Sequence, residues 1–551
     1  MKNEIVKKGV GIMLATVMAM SLFTGCGGDT KSSTEIGGTT LTATDDSKVL
    51  NVAMNADITT MDVQKTSSDY MVPLNIYDRL FEINLKDDGS TELQNSLCED
   101  YSVSDDGLVY TFKLRKGVKF SNGEDLTASD VLYTFVRNLT VDQGVNYDFM
   151  NVILGADDLY NGKTNELEGF EIVDDYDFKV TLSQPFGGFV YQLATPACSI
   201  YDETSTEEAG DQFGIDPSVT VGSGPYMVDS WKVNSSIVLV KNPNYWGDAP
   251  SAEQVNISII PDANTLNMAF QNGKIDIIDL DSVDSSIVES TYKTQYKDQM
   301  VSANRVATSY LALNEDVKPL DDVKVRKAIQ MAINRQEILD SVYGGDGNVE
   351  DMIFPKGLIA HNDDLEDTIK YDPDGAKELL KEAGYPDGFE MELSFDSSST
   401  DSTSMVYQII QKQLEEVGIK VNIASYDQSS WLDLRKSGKM NSFVATWTAD
   451  YNDPDNFIYT FFGDVDKTTQ RSLNYKDKEV MKRINDARGI VDETERINEY
   501  QDLEKKIVLE DAAWVPLYST KHYFAIGDKV EKFVPFWSGY SDSEFRNVTL
   551  K

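Results

Sequence analysis

The sequence predicts a mixed α/β fold spread over several domains, and three observations carry that prediction. Between residues 389 and 423 a strand, a helix and a second strand follow one another, an order that joins parallel neighbours through a crossover. The 551-residue chain leaves about 500 residues after its N-terminal leader, more than one hydrophobic core organises. A 41% hydrophobic fraction with 27 tyrosines is that of a folded globular protein.

The leader comes first. Lys2, Lys7 and Lys8 make the N-terminus basic, and Gly9 to Phe23 is nearly uncharged and rich in Val, Ile, Leu, Met and Ala. This apolar stretch, roughly 15 residues, is shorter than the ~20 of a spanning helix. Followed by Thr24-Gly25, it reads as a secretory signal over residues 1–25. A Cys directly after Thr-Gly resembles the bacterial lipobox, in which that Cys (Cys26 here) is acylated and becomes the first residue. Each buried methylene of an acyl chain adds about 0.8 kcal/mol of membrane affinity, so lipidated Cys26 would hold a soluble domain on the outer leaflet. Residues 26–49 are expected to be a flexible tether. Gly27 to Ser47 has almost no large apolar residue and cannot bury enough surface to fold.

Leu108 to Leu114 and Val118 to Phe120 read as strands around the turn Arg115-Lys116-Gly117, and Val131 to Leu139 as a helix. Ile237 to Val240 is a strand that leads into the turn from Asn242 to Gly247. A helix starts near Asp321-Asp322, with Val325, Ile329, Ala332 and Ile333 on one face. Asp372 caps the next helix, Pro373 takes its first position, and Gly384 ends it. Phe389, Met391, Leu393 and Phe395 alternate as a strand. A helix with the apolar face Val406, Ile409, Ile410, Leu414 and Val417 stops at Gly418, and Ile419, Val421 and Ile423 alternate again.

A formal net charge of -42 argues against nucleic acid, which needs a basic footprint, and marks a solvated acidic surface. Cys98 and Cys198 are either one disulfide or two buried thiols, and their spacing decides neither. Only His361 and His522 are present, in no HExxH-type spacing, so no metal and no cofactor is expected. No GxSxG elbow, kinase or P-loop pattern occurs, and paired carboxylates mean little among 92 acids; a secreted hydrolase is the least favoured reading.

Several stretches together resemble family 5 of the bacterial extracellular solute-binding proteins, which serve importers of oligopeptides, dipeptides and nickel. The longest is Asp105 to Arg137, DDGLVYTFKLRKGVKFSNGEDLTASDVLYTFVR. Others are Gly222-Ser-Gly-Pro-Tyr226, the NPNYWG turn, Gln271 to Asp276, Asp322 to Ile329, Ala332 to Arg335, Trp447-Thr-Ala-Asp-Tyr451 with Asp453-Pro454, and Phe536 to Leu550. The resemblance implies a two-lobed periplasmic-binding-protein-like fold of class II, with two crossover strands and an extra third domain. Residues 50–79, 208–306 and 520–551 would form the first lobe, 80–207 the extra domain and 307–519 the second lobe.

By the same resemblance the chain would be the substrate-binding lipoprotein of an ABC transporter. It would capture extracellular oligopeptides between its lobes and deliver them to the permease, while the partner ATPase uses the ATP. It would work as a monomer, with no nucleic acid, lipid-anchored on the extracellular face of the cell membrane, the periplasmic side if there is an outer membrane. Runner-up ligands are a dipeptide, a nickel chelate or an oligosaccharide, and a peptide-sensing receptor is a further reading. Asp450 matches the Asp that relatives use for the peptide ammonium; a turn or cap role is its structural alternative. Trp447 would line the cleft or pack in the core. Ala445, Thr446 and Thr448 would offer backbone groups, because a receptor that tolerates many sequences grips the peptide main chain. Ser67, Ser68 and Asp69 would supply an opposing strand. Tyr310 and Tyr518 lie on the expected crossover strands, as ligand contacts or as core and hinge packing. Arg435 would meet the ligand carboxylate or lie on a helix surface.

Overall fold

The computed structural model describes residues 47–551 and, separately, the backbone of a short antiparallel pair, Thr34–Ile36 with Thr39–Leu41. The expected signal, Cys26 and most of the expected tether lie outside the described residues.

A 10-stranded mixed sheet is the largest of the sheets in residues 47–551. Its main path is Tyr226–Lys232, Ser236–Lys241, Gln254–Ile259, Val49–Met54, Ile277–Asp279, Val515–Ile526, Ala307–Leu313 and Ser442–Thr448. Met300–Asn304 and Gly347–Val349 also pair with Val515–Ile526. Two lobes share this sheet, and the chain crosses between them twice. The first crossing runs from Met300–Asn304 into Ala307–Leu313. The second is the strand Val515–Ile526 itself. Its early residues pair with Ala307–Leu313, and Lys521 to Ala525 pair with Met300–Asn304. The mixed α/β, two-crossover architecture is the one the sequence implies, although the expected boundary at 519/520 falls inside an unbroken strand.

Three buried cores accompany this frame. Leu50, Val52, Tyr226, Ile257 and Phe524 fill the first lobe. Leu311, Ile329, Leu380, Ile410 and Leu517 fill the second. A third begins with Phe81, Phe112, Phe135 and Phe178 and runs without a break to Phe354, Phe457, Tyr500 and Trp514. The region from residue 80 to 207 therefore packs onto the helices that follow residue 454.

Local signals translate directly into elements. Asp372 accepts the Gly375 N–H and caps Pro373–Glu382, and Gly384 turns the chain at φ 92°. Phe389–Asp396 and Ile419–Tyr426 pair in parallel around the helix Asp401–Glu416. Helices at Ala128–Thr140 and Val323–Ala332 also form as expected. Val118 to Phe120 does not form a strand: only Lys119 bridges, to Asp125. Val118 and Phe120 alternate with Lys119 because both are buried in the third core. Gly222 must be glycine, since a Cβ there would collide with the Ile76 carbonyl.

Two buried carboxyls, Glu350 and Glu504, line one small cavity, and Glu350 meets the second crossing strand. Glu504 accepts the N–H groups of Ile353 (2.6 Å) and Phe354 (2.7 Å), and Glu350 accepts the Ser519 hydroxyl at 2.6 Å. Burial pushes each up to about 8. A folded-state pKa above the unfolded one means that the folded protein holds protons the unfolded chain has lost. Stability from these groups is complete below the ordinary glutamate range and is lost as pH rises toward 8. Thermal melts are expected to show Glu504→Gln flattening the fall in Tm between pH 5 and pH 8.5; an unchanged slope would refute the assignment.

Candidate functional site

Ser442–Thr448 ends the sheet. It pairs antiparallel with Ala307–Leu313 on one side, and among the described residues no strand pairs with its other edge. Phe443 and Val444, with Trp447 and the two threonines, supply the β-branched and aromatic residues that a pleated strand favours. On the open edge, the Val444 N–H donates to the Tyr407 hydroxyl at 2.9 Å. Antiparallel pairing turns alternate residues outward. Thr446 and Thr448 therefore present their N–H and C=O groups on the same open edge as Val444, while Ala445 and Trp447 bond inward to the neighbouring strand.

The chain leaves this edge at Ala449, whose N–H donates to the Val306 carbonyl at 2.9 Å, and reaches Asp450. Asn456 secures that position twice. Its side-chain oxygen accepts the Asp450 N–H and its amide donates to the Asp450 carboxylate, each at 3.0 Å. The Trp447 indole N–H donates to the Asn456 carbonyl at 3.1 Å. Asp450 is open to solvent, yet the surrounding walls withdraw enough water to raise its carboxyl above the ordinary aspartate value; Asn456 and the more distant Arg471 pull it back.

Trp447 and Asp450 line a cavity of about 400 Å³ with Arg471, and Val145, Phe149 and Phe186 face them from the region between residues 80 and 207. The Arg471 guanidinium lies over the Trp447 ring (4.6 Å) and the Phe461 ring (4.9 Å). Behind the turn, Asp453 pairs with Arg496, and Asp455 pairs with Arg488 at 3.0 Å and accepts the Tyr500 hydroxyl at 2.8 Å. These groups are almost wholly buried and hold the start of helix Asp455–Phe462.

The first lobe contributes from two places. Thr448 shares a 2.6 Å hydroxyl bond with Tyr540. Asp542, two residues on, is pushed up to about 7 by burial, with Asp69 adding to the rise. Ser67 and Ser68 are exposed, and Asp69 has a left-handed φ of 65°. This segment is a series of turns rather than the expected opposing strand. Thr66 accepts the Ser68 N–H, and Asn146 ties down the Thr66 carbonyl. Its neighbour Tyr70 feels the charges of both Asp542 and Asp450.

Other expected positions fall elsewhere. Tyr310 is buried and stacked on Trp514 at 3.9 Å, with Phe461 edge-on, which makes it core. Tyr518 is buried with its hydroxyl 3.1 Å from that of Tyr343, which makes it hinge packing. Both side chains have the packed surroundings of the alternative reading, because the inward faces of the crossing strands meet the cores. Arg435 lies on helix Gln428–Lys436 with its guanidinium over Trp431 at 5.7 Å, and its charge reaches Arg471. Cys98 and Cys198 are unpaired and buried, and burial pushes both thiols up to about 12.

Both histidines meet carboxylates, but their ring nitrogens are already engaged. His522 faces Asp279 at 2.6 Å and the Gly539 carbonyl at 3.0 Å; His361 faces Asp363 at 3.1 Å and the Phe354 carbonyl at 2.9 Å. Sequence reasoning missed Asn456, Arg471, Tyr540 and Asp542. Tyr540 and Asp542 lie inside the C-terminal stretch that carried the resemblance, and Asn456 follows the Asp453-Pro454 motif. Arg471 sits in no motif at all.

Residues 92–469 match the bacterial extracellular solute-binding proteins, family 5. Heme-binding protein A of Haemophilus influenzae is 30% identical over 479 residues, covering 84% of this chain and 85% of that protein. A probable D,D-dipeptide-binding periplasmic protein of Escherichia coli is 28% identical over 495 residues, covering 88% and 91%. Among solved structures, the Helicobacter pylori ABC transporter-associated binding protein DppA in complex with the peptide STSA is 28% identical, with a TM-score of 0.68 over 91% of this chain and 98% of that one. HbpA2 from Haemophilus parasuis is 25% identical, with a TM-score of 0.80 over 91% and 100%.

Proposed function

Because this chain belongs to family 5 of the bacterial extracellular solute-binding proteins, we propose that it captures extracellular oligopeptides between its lobes for delivery to the permease of an ABC importer. One observation carries the reading. Beyond Val444, which Tyr407 holds, the open edge at Thr446 and Thr448 leads on to the carboxylate of Asp450. An extended peptide added to that edge bonds through its main chain to Thr446 and Thr448, independent of its sequence. Its N-terminal ammonium then reaches Asp450, where exclusion of water strengthens the ion pair. Ser67 to Asp69 and Tyr540 approach from the other lobe, so ligand couples to closure, and closure is the state a permease recognises. In this reading the site holds its ligand and releases it.

In this reading lipidated Cys26 keeps the receptor beside its importer, where a tether raises the effective concentration. The protein works alone as a monomer on the outer face of the membrane. The relative named for D,D-dipeptides favours a dipeptide as the second reading. Denaturing the purified protein and weighing what it releases by mass spectrometry tests both. Peptides of three or more residues are the expected result, two-residue species support the second reading, and a peptide-free, sugar-bearing or haem-bearing release would overturn both.

A further inference from the structure

Among the described residues, Arg471 and Arg435 stand out as arginines whose guanidiniums have neither a carboxylate partner nor a hydrogen-bond acceptor. Arg79, Arg137, Arg305, Arg326, Arg335, Arg488 and Arg496 each have a carboxylate within 4 Å, in a chain with 92 acidic residues. Among the described residues, neither Arg471 nor Arg435 has one, and neither guanidinium donates a hydrogen bond. Arg435 has a buried Nε with no acceptor. The two cations also act on each other, and each raises the cost of leaving the other unpaired.

Position adds to this. Arg471 lines the same cavity as Asp450. The two side chains are close enough to sense each other's charge but are more than 4 Å apart, since they form no ion pair. The rings of Trp447 and Phe461 fix the plane of the Arg471 guanidinium, which reduces the entropy lost on binding. A carboxylate and a preorganised guanidinium facing one cavity are complementary to a ligand that carries an ammonium and an anion close together.

We propose that Arg471, backed by Arg435, is an anion subsite of the ligand cavity, and that the preferred ligand bears a carboxylate on the residue whose ammonium Asp450 holds. The inference rests on the peptide reading above and narrows it. Two chemistries satisfy it: a peptide with an acidic first side chain, and a γ-linked glutamyl peptide whose first residue keeps both its α-ammonium and its α-carboxylate.

Calorimetric titration of the purified protein with Glu-Ala-Ala, γ-Glu-Ala-Ala and the neutral Gln-Ala-Ala tests it. At least one acidic tripeptide is expected to bind about tenfold or more tightly than Gln-Ala-Ala, and whichever does so identifies the chemistry. Arg471→Gln is expected to remove that preference, and Arg435→Gln to reduce it in part. Equal binding of all three peptides by the unaltered protein overturns the anion subsite and leaves the peptide reading intact. A preference that survives in a folded Arg471→Gln variant also overturns it. Failure of the unaltered protein to bind any of the three overturns both.

Discussion

Replacing Asp450 by Ala is expected to weaken peptide binding by about 2–5 kcal/mol, roughly thirtyfold or more in Kd. The size follows from what is left behind: an ammonium drawn into a closing cleft with no counter-charge. Asp450→Asn keeps the shape and the bond to Asn456 but loses the charge, so it should lose nearly as much. Blocking the peptide N-terminus by acetylation should cost the unaltered protein the same amount and cost Asp450→Asn little, because both changes remove one ion pair. Since burial raises the Asp450 carboxyl, affinity should fall as the pH drops toward that raised value. The Asp450→Asn variant should lose that part of the dependence. Titrations that find unaltered affinity in Asp450→Ala would end its assignment as the ammonium receptor.

Arg496→Met is expected to destabilise the fold by about 3–5 kcal/mol, the cost of leaving one half of a buried ion pair uncompensated. Arg496 is 1% exposed and Asp453 is 0% exposed, so water cannot reach in to solvate the orphaned carboxylate. The double variant Arg496→Met/Asp453→Asn should recover much of the loss, since no bare charge remains. Midpoints of urea unfolding measure both, and a single-variant loss under about 1 kcal/mol would refute the account. The pair also matters to the site. It holds the turn that links Asp450 to helix Asp455–Phe462, and Gly187 donates its N–H to the Arg488 carbonyl alongside. A folded Arg496→Met protein should therefore bind peptide more weakly as well, although Arg496 itself is remote from the ligand.

Elements governed by near neighbours could be read from the chain alone. The cap at Asp372, the stop at Gly384 and the alternation at Phe389 and Ile419 each involve contacts a few residues apart, and the parallel pair formed as those signals required. Val118 to Phe120 shows the limit of such reading. Burial against a distant core produced an alternating pattern without a ladder. Tyr310 and Tyr518 show it again, because a strand that crosses between lobes carries no local mark of which face meets the core and which meets the ligand.

The sequence by itself determined the family and the mixed α/β frame, and it marked the Trp447 to Asp450 stretch as the candidate site. Those properties reside in short motifs and short-range periodicity, which the chain carries whatever its distant parts do. Only the tertiary structure decided that Ser442–Thr448 lies at an open edge, that Cys98 and Cys198 stay apart, and that Arg471 shares a cavity with Asp450. Each of these depends on which distant segments fold against one another. Such convergence is set by the packing of whole elements, and no single stretch of residues records it.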